Sequence, residues 1–217
     1  MRGVGRLAPR MRGRLITIEG LDGAGKTTLA RGLLDALLAR GIDVELLREP
    51  GGVAAAERIR TLVKDPQLRV GARAEALLYA AARAQLVEEA LAPALAAGRW
   101  VLLDRFVDSS LAYQGAGRAL GIDAVRAINA FATGAVRPDR TLLLRIEPAL
   151  GRTRQDGRGE APDRLEQEAD DFFARIAAAY DALASAEPQR IRTLDASADA
   201  PTVLAQALAA LADLLSG

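Results

Sequence analysis

The chain has 217 residues, half of them hydrophobic, with a formal net charge of +1 and neither cysteine nor histidine. This composition predicts one compact domain and excludes disulfides, thiolate metal sites and acid–base catalysis by histidine. A near-neutral charge predicts no nucleic-acid partner, and the lack of an apolar run of about 18 residues predicts no membrane span, so we expect a cytoplasmic protein.

The start of the chain carries little structural signal. Residues 1–13 are rich in arginine and glycine and poor in apolar side chains. We therefore expect them to form a disordered extension, followed by a single domain over residues 14–217. The apolar run at residues 15–18 then predicts a first strand.

A phosphate-binding motif follows this strand. Residues 20–27 fit G-x-x-x-x-G-K-[ST] between a predicted strand and a predicted helix, which is the context that such a loop requires. Its backbone N–H groups are expected to surround a polyphosphate, with Lys26 reaching the β and γ phosphates and Thr27 binding Mg²⁺. The alternative is a glycine turn that matches by accident. The predicted nucleotide-binding residues are Gly20, Leu21, Asp22, Gly23, Ala24, Gly25, Lys26, Thr27 and Thr28.

The next elements predict a second part of a ligand site. Leucines at helical spacing over residues 29–38 predict a helix, and residues 43–48 predict a strand. The segment Arg48-Glu49-Pro50-Gly51-Gly52 ends that strand in a charged turn. Ligands of open α/β sheets bind at this carboxyl edge of the strands.

A third strand supplies a candidate metal ligand. Residues 54–63 and 72–97 predict helices, the second of them interrupted by Pro93. Residues 100–104 are a continuously apolar strand that ends in Asp104. This pattern is typical of a buried parallel strand followed by a carboxylate that faces Mg²⁺. A strand that merely ends in a polar residue would look the same.

Strands and helices alternate through the rest of the chain. Helices are predicted at residues 122–133, 165–184 and 201–215, and strands at residues 141–146 and 190–194, with an arginine-rich stretch at residues 152–164. The predicted fold class is α/β, a P-loop NTPase fold with a five-stranded parallel sheet, helices on both faces and a short arginine-rich lid.

Motifs that are missing narrow the function. A Ras-type GTPase would normally carry Asn-Lys-x-Asp, but the only asparagine is Asn129, followed by Ala130. No segment resembles the L-S-G-G-Q of ABC-type ATPases. A small phosphotransferase remains, in which a second substrate is held in line with the γ phosphate. A kinase for another acceptor, or a nucleotide-binding regulatory protein without turnover, also stays open.

Five segments in order resemble bacterial thymidylate kinases, from residue 15 to the last helix. The first two are residues 19–28 and 48–52, described above. The other three are Tyr79-Ala80-Ala81-Ala82-Arg83, the stretch of residues 104–115 that begins Asp104-Arg105-Phe106, and Asp163-Arg164-Leu165-Glu166. The resemblance implies transfer of the γ phosphate of ATP to dTMP, with ATP and Mg²⁺ as cofactors. It also implies a homodimer, for which the helix at residues 72–97 could supply the surface.

The resemblance also implies roles on the acceptor side. Arg48 and Arg105 are expected to bind the 5′ phosphate of dTMP, and guanidinium groups suit such bidentate contacts. Arg105 and Asp104 are further expected to act in catalysis with Lys26. Asp22 matches the position that accepts the sugar 3′-hydroxyl.

Base recognition is implied by a second set of residues. Tyr79 matches the position that stacks on thymine, and Arg83, one helical turn later, is expected to donate to a base carbonyl. Ser110 and Gln114 match positions that complete base recognition, and Tyr113 is expected to crowd a ribose 2′-hydroxyl. A core tyrosine, a surface arginine and ordinary helix polar residues are the alternatives.

The catalytic cation is predicted in the lid. No arginine lies between Gly20 and Lys26, so another segment must supply one to the transferred phosphoryl group. We expect this cation to be Arg158, which lies between two glycines, and expect Arg154 to stack on adenine, with Arg164 a weaker contributor. The alternative is a solvated, charge-balanced loop.

Overall fold

The strands of the chain form one parallel sheet. The computed structural model describes residues 12–134, 136–156 and 163–216. Within them, the five strands pair in the order β2-β3-β1-β4-β5, and every pairing is parallel. The predicted five-stranded parallel sheet is confirmed. The strands are β1 (Leu15–Gly20), β2 (Val44–Arg48), β3 (Trp100–Asp104), β4 (Arg140–Arg145) and β5 (Ile191–Asp195).

Both faces of the sheet are buried. Leu15 and Leu103 belong to one buried apolar cluster, whereas Ile16, Ile18 and Leu102 belong to another. Because successive side chains of a strand point to opposite faces, these apolar runs require helices on both sides. The longer helices are α1 (Lys26–Leu38), α2 (Ala54–Lys64), α3 (Ala72–Leu86), α6 (Ile122–Thr133), α8 (Asp170–Ala186) and α9 (Ala200–Ala210), and the shorter ones are α4 (Ala92–Ala96), α5 (Val107–Ser110), α7 (Pro148–Asp156) and α10 (Ala212–Leu215).

The helix predicted at residues 72–97 is divided in two. After α3, the chain makes a wider π-helical turn over Val87–Leu91 before α4 begins. Pro93 has no N–H to donate, and its ring excludes a regular α-helical turn before it, so the wider turn accommodates it. No helix of the described residues is long and apolar enough to cross a membrane.

Other boundaries also differ from the prediction. The arginine-rich stretch begins inside α7, and α8 begins at Asp170 rather than at residue 165, because Asp163 Oδ1 accepts hydrogen bonds from Leu165 N and Glu166 N and so forms a turn there. A helical segment that we did not predict continues α5 through the π-helical turns of Leu111–Gly117.

Gly13, the last residue of the predicted extension, packs closely against the segment that leads into β3. Gly13 is buried, and its N–H donates to the Leu95 carbonyl at 2.9 Å. A Cβ at this position would lie 1.8 Å from the Arg99 carbonyl oxygen, so glycine permits this close passage. Residues 1–11 of the predicted extension lie outside the described residues.

The sheet brings the predicted ligand groups to one edge. β1 lies between β3 and β4, and β3 also pairs with β2, with Arg48 beside Asp104 in the register. All strands run the same way, so the phosphate loop after β1, the turn after β2 and the residues after β3 leave the sheet side by side.

Candidate active site

The phosphate loop has the shape that its glycines permit. Gly25 has φ 93° directly before α1, and Gly23 has φ 80°, a region that L side chains rarely adopt. A Cβ on Gly23 would lie 2.0 Å from the carbonyl oxygen of Gly151 in α7. The start of α1 is thereby presented to the cleft as an anion-binding helix N-terminus.

Lys26 lies inside this loop. Its Nζ donates to the carbonyls of Leu21 at 2.8 Å and Gly20 at 3.2 Å, and lies 3.6 Å from Asp22 Oδ1. Burial, followed by the nearby charge of Arg105, lowers the pKa of Lys26 to about 8. A bound phosphate would favour the charged form, so this lysine is placed to respond to polyphosphate.

Thr27 and Asp104 form a pair that fits Mg²⁺. Thr27 Oγ1 donates to Asp104 Oδ2 at 3.4 Å, and both side chains line the cleft. Magnesium in such sites takes one or two protein oxygen ligands and completes its shell with water and substrate phosphates. The described residues contain no cluster of three or more acidic groups that would hold a metal by themselves.

Arg105 pairs directly with a residue of the phosphate loop. Its φ of 70° is unusual for a residue with a side chain. Its Nη2 donates to Asp22 Oδ1 at 2.6 Å, its Nη1 donates to Ser109 Oγ at 3.0 Å, and its guanidinium lies 5.0 Å from the centre of the Tyr113 ring. Tyr113 in turn donates to Asp22 Oδ2 at 3.1 Å. Burial opposes ionisation of Asp22, but the charges of Arg105 and Lys26 hold its pKa well below its usual range.

Glu19 supports this arginine, and apart from its position before the loop no sequence pattern indicated this role. The wholly buried carboxylate accepts hydrogen bonds from Phe106 N at 2.8 Å, Ser109 N at 3.2 Å, Ser109 Oγ at 2.5 Å and Tyr180 OH at 2.9 Å. Two of these donors are backbone groups just beyond Arg105. Glu19 therefore fixes the segment from which Arg105 projects.

We expect Glu19→Gln to flatten the pH dependence of stability. Burial, with a contribution from Asp108, raises the pKa of Glu19 to about 7, so the folded chain holds a proton that the unfolded chain has released. Stability from this proton is fully present below the unfolded pKa of 4.5 and is lost as the pH rises through about 7. This proton contributes about 3 kcal/mol to the free energy of unfolding at low pH.

Urea unfolding of both proteins at about pH 5 and about pH 8 measures this difference. The variant should still fold, because a glutamine can accept from the two backbone N–H groups and donate to the Ser109 or Tyr180 hydroxyl. Parallel pH profiles for wild type and variant would show that Glu19 does not titrate in this range.

Four of the residues predicted to bind the acceptor line the cleft. Tyr79, Ser110 and Gln114 line the cleft, as does Arg48, which also pairs with Glu57 at 3.1 Å near the mouth. All four were predicted from the sequence.

Arg83 is placed differently from the prediction. It is 1% exposed and does not line the cleft. It pairs with Glu49 at 2.6 Å and donates to Ser110 Oγ at 2.9 Å, to Asn129 Oδ1 and to the Phe106 carbonyl. These acceptors hold the guanidinium behind Ser110, so the structure does not place it for a direct contact with a base. Glu49, which sequence reasoning missed, lines the cleft beside it.

Three arginines of the predicted lid are engaged elsewhere. Arg152 pairs with Asp170 and lies 5.3 Å from the centre of the Phe173 ring. Arg154 donates to the carbonyls of Ala196 at 2.8 Å and Ser197 at 3.4 Å, between α7 and the β5–α9 connection. Arg164 belongs to a cluster around Glu75. Arg158, the predicted catalytic contact, lies outside the described residues.

The candidate site is a cleft of about 610 Å³, within the range of sites for small molecules. It is lined by residues of the phosphate loop and by Arg105, together with Tyr79, Ser110 and Gln114. A nucleotide-binding loop that shares a cleft with a second cationic site is the arrangement of a P-loop phosphotransferase, in which donor and acceptor phosphates must meet. The sequence profile of the family described as thymidylate kinase matches residues 18–206, and the chain belongs to that family.

Related sequences agree over almost the whole chain. The thymidylate kinase of Halorhodospira halophila is 47% identical over 206 residues, covering 94% of this chain and 96% of that relative. The thymidylate kinase of Rhizorhabdus wittichii is 48% identical over 207 residues, covering 94% of this chain and all of the relative. That of Enterococcus faecalis is 49% identical over 189 residues, covering 86% and 89%. The resemblance predicted from the five motifs is thus confirmed.

Proposed function

We propose that this chain transfers the γ phosphate of ATP to dTMP, giving dTDP and ADP. The observation that supports this most directly is the position of Asp22. It belongs to the phosphate loop, yet it holds Arg105 at 2.6 Å and accepts from Tyr113 at 3.1 Å. One loop residue therefore joins the donor and acceptor ends of the cleft, as direct transfer between two bound nucleotides requires.

The donor end binds and orients the triphosphate. Backbone N–H groups of the loop and the N-terminus of α1 bind phosphate oxygens, and Lys26 exchanges its carbonyl partners for the β and γ phosphates. Thr27 and Asp104 are the residues that would hold Mg²⁺, which when bound neutralises charge on the same phosphates. Arg154, held at the β5–α9 connection, is our candidate for the adenine contact.

The acceptor end orients dTMP. Arg105 binds the 5′ phosphate with Arg48 nearer the mouth, and Asp22 receives the sugar 3′-hydroxyl. Tyr113, packed against Arg105 and Asp22, leaves little room for a 2′-hydroxyl. Tyr79 stacks on the base while Ser110 and Gln114 bind its edge, and Arg83 acts through Ser110 rather than by direct contact.

We further propose a cytoplasmic homodimer that pairs through α3 and α6. These helices pack against each other, and each carries an exposed apolar side chain, Leu77 at 56% and Phe131 at 93%. Large exposed apolar residues are more frequent at protein interfaces than on free surfaces. Light scattering of wild type and of Phe131→Asp would test this pairing.

The function itself makes a prediction about acceptors. In an ADP-coupled assay with ATP and Mg²⁺, dTMP should be the best acceptor, and dUMP should be weaker because it lacks the methyl group. AMP and GMP should be nearly inert, because a purine is too large for a base site with one stacking aromatic. If AMP or GMP is the best acceptor, this assignment is wrong. ATP binding without phosphorylation of any monophosphate would favour the regulatory alternative.

A further inference from the structure

Glu75 is a buried acid that is not among the predicted site residues. It lies in α3 one helical turn before Tyr79, and its side chain is 0% exposed. Gln114 Nε2 donates to its Oε1 at 2.9 Å, Arg118 Nη2 donates to its Oε2 at 3.1 Å, and Arg164 Nη2 lies 2.7 Å from Oε2 as an ion pair. Glu75 therefore ties three separate parts of the chain together.

The two arginines decide how this acid can bond to Gln114. An arginine side chain only donates hydrogen bonds, and Arg118 donates to both carboxylate oxygens, so both oxygens of Glu75 act as acceptors. The end of the Gln114 amide that faces Glu75 must therefore be its NH₂ group, and the opposite orientation would bring two acceptors together.

A fixed amide leaves a fixed acceptor for the ligand. Gln114 lines the cleft, and its carbonyl oxygen Oε1 receives no hydrogen bond from the described residues. The rings of thymine and uracil carry an N3–H donor, whereas the cytosine ring presents a bare N3 lone pair. Proteins that bind single bases distinguish them through such edge contacts. An acceptor locked at this position suits the first two rings and opposes the third.

We propose that Glu75 is a positioning residue that locks the Gln114 amide and thereby makes the site select pyrimidines with a protonated N3. This inference rests on the proposed function, since it assigns the base-edge contact of that same acceptor site. Glu75 does not touch the nucleotide and acts only through Gln114. Its two arginines hold the carboxylate in place.

Glu75→Gln tests the proposal, because a glutamine at this position can face Gln114 with either its oxygen or its NH₂ group. The Gln114 amide is then free to turn over. We expect the ratio of kcat/KM for dTMP to that for dCMP to fall by about tenfold or more, mainly through a higher KM for dTMP. An unchanged ratio would overturn the proposal.

Glu168→Gln is the matched control. Glu168 also accepts from Arg118, at 2.5 Å, but it is partly exposed and has no contact with Gln114 among the described residues. This variant should keep the wild-type ratio. An equal fall in both variants would show that loss of charge near Arg118, and not the orientation of the amide, is responsible.

A double-mutant cycle separates positioning from general support of the fold. Gln114→Leu removes the acceptor, so it should itself lower the ratio, and adding Glu75→Gln should then change the ratio no further. A further fall in the double variant would mean that Glu75 acts by another route. If Glu75→Gln does not fold, as judged by circular dichroism, Gln114→Leu alone decides, and a retained preference for dTMP overturns the proposal.

Dissociation constants for dTMP and dCMP, measured by calorimetry on the same proteins, distinguish the two possible failures. Wild type that binds dTMP in preference to dCMP but phosphorylates neither would contradict the proposed function alone. Wild type that phosphorylates dTMP while Glu75→Gln keeps the full binding preference would contradict the role of Glu75 alone.

Discussion

Lys26→Met should lower kcat for dTMP phosphorylation by about 10² to 10³, which is the usual loss when one charged or hydrogen-bonding group is removed from a developing negative charge. Methionine keeps much of the length and apolar surface of the stem, so the change removes mainly the ammonium group. In the structure that group is satisfied by the carbonyls of Leu21 at 2.8 Å and Gly20 at 3.2 Å, which a phosphate would replace.

The variant should keep its fold. Lys26 is 8% exposed, and burial already disfavours its charged form, so losing two hydrogen bonds is partly offset by losing the desolvation of an ammonium ion. A small change in Tm, with kcat reduced far more than ATP affinity, is the expected result. Thermal melts, ATP titrations and steady-state rates measure these three quantities.

Arg40→Met provides the control for Lys26→Met. Arg40 follows the other end of α1, is exposed and donates to the Ala36 carbonyl at 2.7 Å. Its replacement should leave kcat unchanged. Near-normal turnover of Lys26→Met would exclude the proposed loop mechanism, whereas equal losses in both variants would point to damage of α1.

Local chemistry explains why the phosphate loop could be predicted from the sequence. Its constraints lie in consecutive residues: glycines where the backbone has positive φ, a lysine, and a hydroxyl at the start of a helix. The sheet was predictable for a similar reason. A strand buried on both faces is mostly apolar along its length, and β3 and the first half of β1 have that pattern.

The buried acids could not be predicted in the same way. Glu19 accepts hydrogen bonds from Phe106, Ser109 and Tyr180. Glu75 accepts from Gln114 and Arg118. A sequence window contains only one member of each contact, so no local pattern marks these residues. Their roles depend on how distant segments meet at the edge of the sheet.

Arg83 shows that helical spacing can place a residue on one face of a helix without indicating its buried partner. It lies four residues after Tyr79, which places both on one face of α3, and it was therefore predicted to contact the base. Folding instead brings Glu49, 34 positions earlier, within 2.6 Å of its guanidinium. A buried arginine is stabilised by such a partner, and the sequence did not indicate which acid this would be.

The second large effect is expected from the cation on the transferred phosphoryl group. That group carries its charge on three equatorial oxygens in the transition state, and an arginine placed there contributes about 10³ to 10⁵ in rate. The phosphate loop contains no arginine, and Arg105 is assigned above to the 5′ phosphate of dTMP. The arginine-rich stretch remains as the source.

Three arginines of that stretch have contacts among the described residues. Arg152 pairs with Asp170, Arg154 is held by two carbonyls, and Arg164 pairs with Glu75. We propose Arg158 as the catalytic contact because it lies between Gly157 and Gly159 in the sequence, and glycine neighbours permit the backbone to approach phosphate closely.

Arg158→Ala should therefore lower kcat by about 10³ or more while changing the KM for dTMP only a few-fold. An interaction made mainly in the transition state gives this pattern, whereas a residue that binds the ground state raises KM. Arg152→Ala is the matched control, since it removes a cation from the same stretch that pairs with Asp170, and it should lose little. Steady-state constants for alanine variants at positions 152, 154, 158 and 164 decide the question. If none of the four loses more than a few-fold in kcat, the transition-state cation comes from outside this stretch.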